Sequence, residues 1–238
     1  MNCAAAGRGT IVATTGREVP TVMRIDLVSD VACPWCAIGM SALERALTRI
    51  GDDLGSIELH LQPFELNPTM PAEGADAAQY LSSKYGLSPE QLAVNRARIA
   101  ERGAAEGFQF GTRAHVWNTF DAHRLLFWAG TEGPPDAQRA LKRALLAAYH
   151  GEGRNISAPE VLLELAAGAG LSADRAREVL ERGEFADEVR QAERFWQEVG
   201  IQSVPAVIVD RKHLISGGQP SQVFEQALRE IAAASDGD

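Results

Sequence analysis

Apolar and polar residues alternate over residues 24–29 (Arg-Ile-Asp-Leu-Val-Ser), the period of a strand. Asp30-Val31-Ala32 turns the chain, and beyond Pro34 the period changes: Leu43, Ala46, Leu47 and Ile50 recur at helical spacing until Gly51. Residues 57–62 alternate again and are closed by Pro63 and Pro68, which predicts a second strand. A strand–helix–strand unit crosses over right-handed, so the two strands are expected to be parallel.

From about residue 68 to 195 the strand signal vanishes. Ser88-Pro89-Glu90 combines an N-cap, proline at the first helical position and an acid in the first turn, predicting a helix to about Ala105. Asn118 is the expected cap of the next helix, followed by Asp121, Ala122, Leu125, Leu126 and Ala129. Pro134-Pro135 opens a third, reaching Tyr149, and further starts fall at 157–160, 172–174 and 184–199. Strands return at Ala206-Val207-Ile208-Val209 and 213–215, joined by a turn at 210–212 and broken by Gly217-Gly218. The last helix, 220–234, turns Val223, Phe224, Ala227, Leu228 and Ile231 inward. Outside the helical block the order is β-α-β … β-β-α, which predicts an α/β fold with a mixed sheet and helices on both faces. The expected division is residues 23–67 with 196–238, a helical insertion at 68–195, and a disordered extension at 1–22.

Composition narrows the function. The 238-residue chain is 45% hydrophobic and carries a formal charge of −9. An acidic chain without a basic cluster is a poor partner for nucleic acid or an anionic membrane. No apolar run approaches the roughly 18 residues that span a bilayer. The first residues carry Arg8 and Arg17 without the apolar core of an export signal, so the default expectation is the cytoplasm.

The chemistry concentrates at Cys33-Pro34-Trp35-Cys36, where the first strand gives way to the first helix. Cys33 is placed at the helix start, where free backbone N–H groups and the positive end of the helix dipole favour a thiolate. Cys36, three residues on, is spaced to close a disulfide with it. A structural zinc site would need a second close pair; the remaining cysteine, Cys3, is remote, and the five histidines form no metal-ligand spacing. The pattern therefore reads as a redox-active dithiol that requires no metal or organic cofactor.

The β-α-β … β-β-α order, the C-x-x-C motif at the first strand–helix junction and Val204-Pro205 just before the third strand together resemble a thioredoxin fold. The inserted helices resemble the DsbA-like superfamily. Asp30-Val31-Ala32-Cys33-Pro34-Trp35-Cys36, Pro63-Phe64-Glu65-Leu66-Asn67-Pro68, residues 118–125, and Ile201-Gln202-Ser203-Val204-Pro205 with Gly217-Gly218-Gln219-Pro220 are similar to its FrnE-type oxidoreductases. The resemblance implies Cys33 as nucleophilic thiol, Cys36 as resolving thiol and Pro205 as a cis-proline facing them. It implies disulfide or dithiol substrates, protein or small-molecule, a recycling redox partner, and glutathione as a co-substrate.

Val204, Trp35, Pro34, Phe64 and Asn118 are the candidate substrate contacts. Asn118 also reads as a plain helix cap, and His123 as a helix residue or a proton shuttle. Glu65 reads as a solvated carboxylate or as a proton relay to Cys36. Trp117, Phe120, Phe127 and Trp128 read as core or as groove lining. The Pro-Trp dipeptide lacks the histidine of the strongly oxidising DsbA type, which leaves oxidant, reductant and isomerase open. Two rival readings share the segments: a glutathione-dependent isomerase or transferase of the 2-hydroxychromene-2-carboxylate isomerase or kappa kind, in which serine stands at the position of Cys33, and a redox-sensing or chaperone-like binding module.

Overall fold

The computed structural model describes residues 22–235; Cys3, and all of the expected extension at 1–22 except Val22, lie outside them. Strand β1 (Met23–Ser29) leads into helix α1 (Pro34–Ile50), and β2 (Ile57–Pro63) returns parallel to β1, pairing Ile25 with Leu59 and Leu27 with Leu61. Near the C-terminus β5 (Ala206–Val209) pairs antiparallel with β1, and β6 (His213–Ser216) antiparallel with β5, so the sheet order is β2-β1-β5-β6.

Alternation along the two central strands sorts their side chains onto opposite faces. Ile25, Leu27, Val207 and Val209 pack with Ala37, Met40, Leu43 and Ala46 of α1 and with Phe224 and Leu228 of the last helix. Val28, Ala206 and Ile208 pack on the other face with Phe64, Trp196 and Ile201. Both faces are covered, which explains why β5 is apolar at consecutive positions. The outer edge of β2 meets a side chain: the Gln138 amide accepts from Leu61 N–H at 3.2 Å and donates to Leu61 O at 3.1 Å.

Between β2 and β5 the chain is mainly helical, with three departures from the sequence-based expectation. A two-residue ladder joins β3 (Ala75–Asp76) to β4 (His115–Val116), too short to leave a periodic trace. Helix α2 (Ala77–Tyr85) precedes the expected α3 (Pro89–Ala105) and is capped by Asp76, which accepts from Gln79 N–H at 2.8 Å. The cap of α4 (Phe120–Glu132) is Thr119; Asn118 stands one residue earlier and still accepts the Phe120 N–H at 2.8 Å. Helix α5 (Ala137–Leu146) starts after Pro134-Pro135 because Asp136 takes a left-handed conformation, and it runs on as a π-turn at Ala147–Gly151.

Helices α6 (Pro159–Gly168), α7 (Ala173–Glu181) and α8 (Ala186–Glu198) complete the block, and α9 (Ser221–Ser235) closes the chain. Helix α8 continues through position 196. Leu125, Leu141, Leu145 and Leu162 of the block belong to the same core cluster as Ile25 and Leu43, so one apolar interior runs from sheet to insertion.

Candidate active site

Cys33 occupies the N-cap position of α1 in extended conformation, with Pro34 in the first turn and no side chain capping the helix. The free N–H groups of that turn are therefore available to sulfur. The Cys36 thiol donates to Cys33 and holds it below the ordinary cysteine value, helped by the N–H groups of Cys36 and Trp35 and opposed by burial and by Asp30. Cys36 is pushed well above that value, first by burial and then by its hydrogen bond to Cys33. Both are free thiols, Cys33 3% exposed and Cys36 fully buried. Two identical groups are thus split into an acidic outer thiol and a protonated inner one.

Behind them lies a buried polar cluster assembled from distant parts of the chain. Asp30 Oδ1 accepts from Ala32 N–H at 3.1 Å and from His123 Nε2 at 3.3 Å, and Oδ2 accepts from Leu66 N–H at 2.8 Å. Burial pushes this carboxyl up, but the His123 hydrogen bond and charge and the two N–H groups outweigh it, and Asp30 stays below its ordinary value. Lys142 of α5 is 1% exposed and donates to Ser29 O at 3.4 Å. Burial lowers its ammonium, while Cys36, Asp30 and Cys33 act on it in the opposite sense.

His150, on the π-turn, donates from Nε2 to Val31 O at 2.8 Å, while Arg113 donates to its Nδ1 at 3.4 Å and to Ala32 O at 3.2 Å. Those bonds fix His150 neutral, and burial with the Arg113 charge lowers it to about 3. Two carbonyls immediately before Cys33 are thereby tied to the insertion.

On the other side stands the loop before β5. The Val204–Pro205 bond is cis, and Cys33 Sγ lies 3.7 Å from Val204 O, to which the thiol donates. Pro205 packs on α1 where Gly39 has no side chain: a Cβ there would sit 2.9 Å from Pro205 Cγ. Gly218 likewise lies under Trp35, where a Cβ would stand 2.9 Å from the Trp35 carbonyl oxygen.

The structure therefore brings Cys33, Cys36, Pro34, Trp35, Val204 and Pro205 together, and separates the other candidates. Phe64 is buried on the α8 face of the sheet. Asn118 donates its amide to Met70 O at 2.7 Å and accepts the Phe120 N–H at 2.8 Å, one residue ahead of the α4 cap. Both are held by structural partners and neither lines the groove beside Cys33. Glu65 is neither solvated nor bonded to Cys36; it is buried against Arg190 of α8, and burial raises its carboxyl. His123 bonds Asp30. Trp128 is core, Trp117 stacks on His115, Phe120 lies under Arg190, and Phe127 meets Phe185.

Asp30, Lys142, Arg113, His150, Gly39 and Gly218 also build the site, and the sequence reading did not single them out for it. A signal existed for Asp30, an acid leading directly into the motif, and for Gly39, a helix-interior glycine one turn past Cys36. Lys142 and Arg113 carried none.

The groove has a volume of about 840 Å³ and runs from Ala32–Trp35 between α2, α3 and residues 110–116. No helix among the described residues is long and apolar enough to cross a membrane.

Known proteins share this fold. A probable DsbA oxidoreductase from Streptomyces coelicolor is 37% identical, with 89% of this chain and 90% of that one superposing at a TM-score of 0.81. The cytosolic disulfide reductase DsbM from Pseudomonas aeruginosa with GSH is similar at 21% identity and TM-score 0.59 over 87% of this chain and 99% of that one. A 2-hydroxychromene-2-carboxylate isomerase shares the fold at 15% identity and TM-score 0.65, over 90% and 99%. The model of the DSBA-like thioredoxin domain matches residues 24–229. With its dithiol at the head of α1 and its helices inserted into a mixed sheet, this chain belongs to the DsbA-like thioredoxin family.

Proposed function

We propose that the protein is a dithiol–disulfide oxidoreductase working through Cys33 and Cys36. The observation that carries this is the split acidity of two free thiols one helical turn apart, the outer lowered and the inner raised. In the reductive direction, Cys33 thiolate attacks a substrate disulfide and forms a mixed disulfide, releasing one thiolate. Cys36 then loses its proton and attacks Cys33 sulfur, expelling the second thiolate and closing the Cys33–Cys36 bond. The oxidising direction is the reverse. No metal or organic cofactor enters either step.

Val204 O, Trp35 and Pro34 flank the attacked sulfur, with Pro205 setting the loop against α1. The segments 23–67 and 196–238 carry the dithiol, and the insertion 68–195 supplies the groove. The neighbouring cytosolic reductase supports a cytosolic setting and glutathione as a thiol that returns the pair to its working state, with a protein recycling partner as the other source.

The test is turnover of a model disulfide, insulin or glutathione disulfide, with a regenerating thiol. Cys33→Ser is expected to abolish turnover, and Cys36→Ser to accumulate mixed disulfides. Full activity of Cys33→Ser would overturn the proposal, and glutathione-dependent isomerisation of an aromatic substrate by that variant would establish the isomerase reading in its place. Stoichiometric binding without turnover would establish the binding-module reading.

A further inference from the structure

The chain is acidic overall, yet the wall of the groove beside Cys33 is not. Arg96 and Arg98 of α3 and Arg113 line it, and Arg98 sits 5.6 Å above the Trp35 ring of the motif. None of these three guanidiniums makes an ion pair with a carboxylate among the described residues, whereas Arg154 and Arg175 are paired with glutamates. The one acid on the lining, Asp76, is engaged in capping α2, and His150 is held neutral. The remaining surface is largely apolar, with Tyr80, Leu92 and Phe110 among its members.

Resting on the oxidoreductase reading above, we infer that the substrate is a low-molecular-weight disulfide that joins a carboxylate to a flat apolar body. Three observations select it. Cys33 is only 3% exposed, so an attacking geometry suits a slim molecule better than a disulfide on a folded protein surface. The volume of about 840 Å³ falls in the range of small-molecule sites. Three cations without carboxylate partners beside an apolar wall complement an aromatic acid.

The global charge of −9 does not cancel this attraction. Charges beyond a Debye length, about 8 Å at physiological ionic strength, are screened, and the groove arginines act inside that distance. The reaction balances without an added oxidant. The dithiol gives up two protons and two electrons to close the Cys33–Cys36 bond, and the substrate S–S bond breaks to give two thiols.

The test is the rate at which the reduced protein is oxidised by a set of small disulfides, each rate divided by that of free dithiothreitol with the same compound. Dithiobis(nitrobenzoate) is anionic and aromatic, dithiodipyridine neutral and aromatic, dithiodipropionate anionic and aliphatic, and cystamine cationic and aliphatic. The expected order puts dithiobis(nitrobenzoate) first by about tenfold over the two that keep one feature, with cystamine last. Arg96→Glu with Arg98→Glu is expected to collapse the ratio of anionic to neutral aromatic rates toward unity. If that variant does not fold, the wild-type ratio is expected to fall as ionic strength rises through about 0.1 M.

Equal normalised rates, cystamine ahead, or dithiodipropionate level with the aromatic acid would each overturn the inference. So would insulin disulfides reacting faster on the same scale. Such charge-blind oxidation leaves the oxidoreductase reading standing, whereas no oxidation of the Cys33–Cys36 pair by any probe sinks that reading itself.

Discussion

At the scale of single residues, the contrast between Cys33 and Cys36 comes from position within one helical turn. Cys33 sits beside the N–H groups of the first turn, and Cys36 one turn further in, where burial is complete and outweighs the backbone hydrogen bond from Asp30. Resolution of a mixed disulfide nevertheless requires Cys36 to ionise. Lys142 is the cation whose field lowers Cys36. Lys142→Met keeps the length of the side chain and removes the charge, leaving Cys36 to ionise without that neighbouring cation. The expected result is a closure step about tenfold slower at neutral pH, with its pH midpoint moved upward. A stopped-flow pH profile of Cys33–Cys36 closure checks it, and an unchanged midpoint would remove Lys142 from the mechanism. Nothing local in the sequence marks Lys142. It reads as one more surface cation on an amphipathic helix, and only the packing of α5 under β1 buries it.

At the scale of elements, α1 and the loop before β5 are mated through missing side chains. Gly39→Ala would place a methyl 2.9 Å from Pro205 Cγ, and a proline ring has little freedom to retreat. The expected cost is about 1–3 kcal/mol in urea unfolding, with a change in Cys33 alkylation rate as the Val204 carbonyl shifts. Alkylation and stability both at wild-type values would show that the loop yields freely. The elements were legible where they were long and periodic. Strands β1, β2 and β5, the helix behind the motif and the capped helix at Ser88 all follow from spacing and caps. Helix α2 was missed although Asp76 supplies its cap, because its flanks carry no apolar stripe: only Ala77 is buried. Asn118 and Phe64 do not line the groove, because a motif identifies a segment, while the neighbour each side chain meets is decided by residues far away in sequence, Met70 for one and Trp196 for the other.

At the scale of the whole molecule, the buried cluster couples stability to pH. His150 is neutral in the folded chain down to about 3, against an ordinary value of 6.5. Between those values the unfolded chain binds the extra proton, so its share of stability is intact above 6.5 and is lost as pH falls, by about 1.4 kcal/mol per unit. Glu65 works in the opposite sense: its raised carboxyl binds a proton in the folded chain first, and stability from it grows as pH falls. Asp30, held low, contributes in full above the ordinary carboxylate value and loses that contribution as pH falls from there toward its lowered value. His150→Phe is therefore expected to be less stable at neutral pH, having lost two hydrogen bonds, yet to show a shallower decline between pH values of about 6 and 4.5. Urea titrations at stepped pH decide it, and parallel slopes for the two proteins would contradict the assignment. The overall architecture was readable because the dithiol, the proline and the strand order are local signals. The electrostatic cluster was not, since Asp30 comes from the loop before α1, His123 from α4, and Lys142 and His150 from α5 and the π-turn that continues it, and they meet only when the insertion folds back on the sheet.

The amide of Gln138 gives the molecule a further property. Strand β2 forms one border of the sheet, and an open border invites other chains to add strands to it. Gln138 occupies the N–H and C=O of Leu61 at once, the part that a neighbouring strand would otherwise play, and it has room because Gly130 on α4 presents no side chain there. The insertion therefore acts as a guard on the sheet's exposed side as well as a wall of the groove. Gln138→Leu is expected to leave activity near the wild-type level in fresh, dilute protein and to shorten its soluble lifetime at high concentration, with growth of β-rich aggregates measurable by light scattering and thioflavin binding. Unchanged scattering over days would mean that the border is protected by its twist and charges alone.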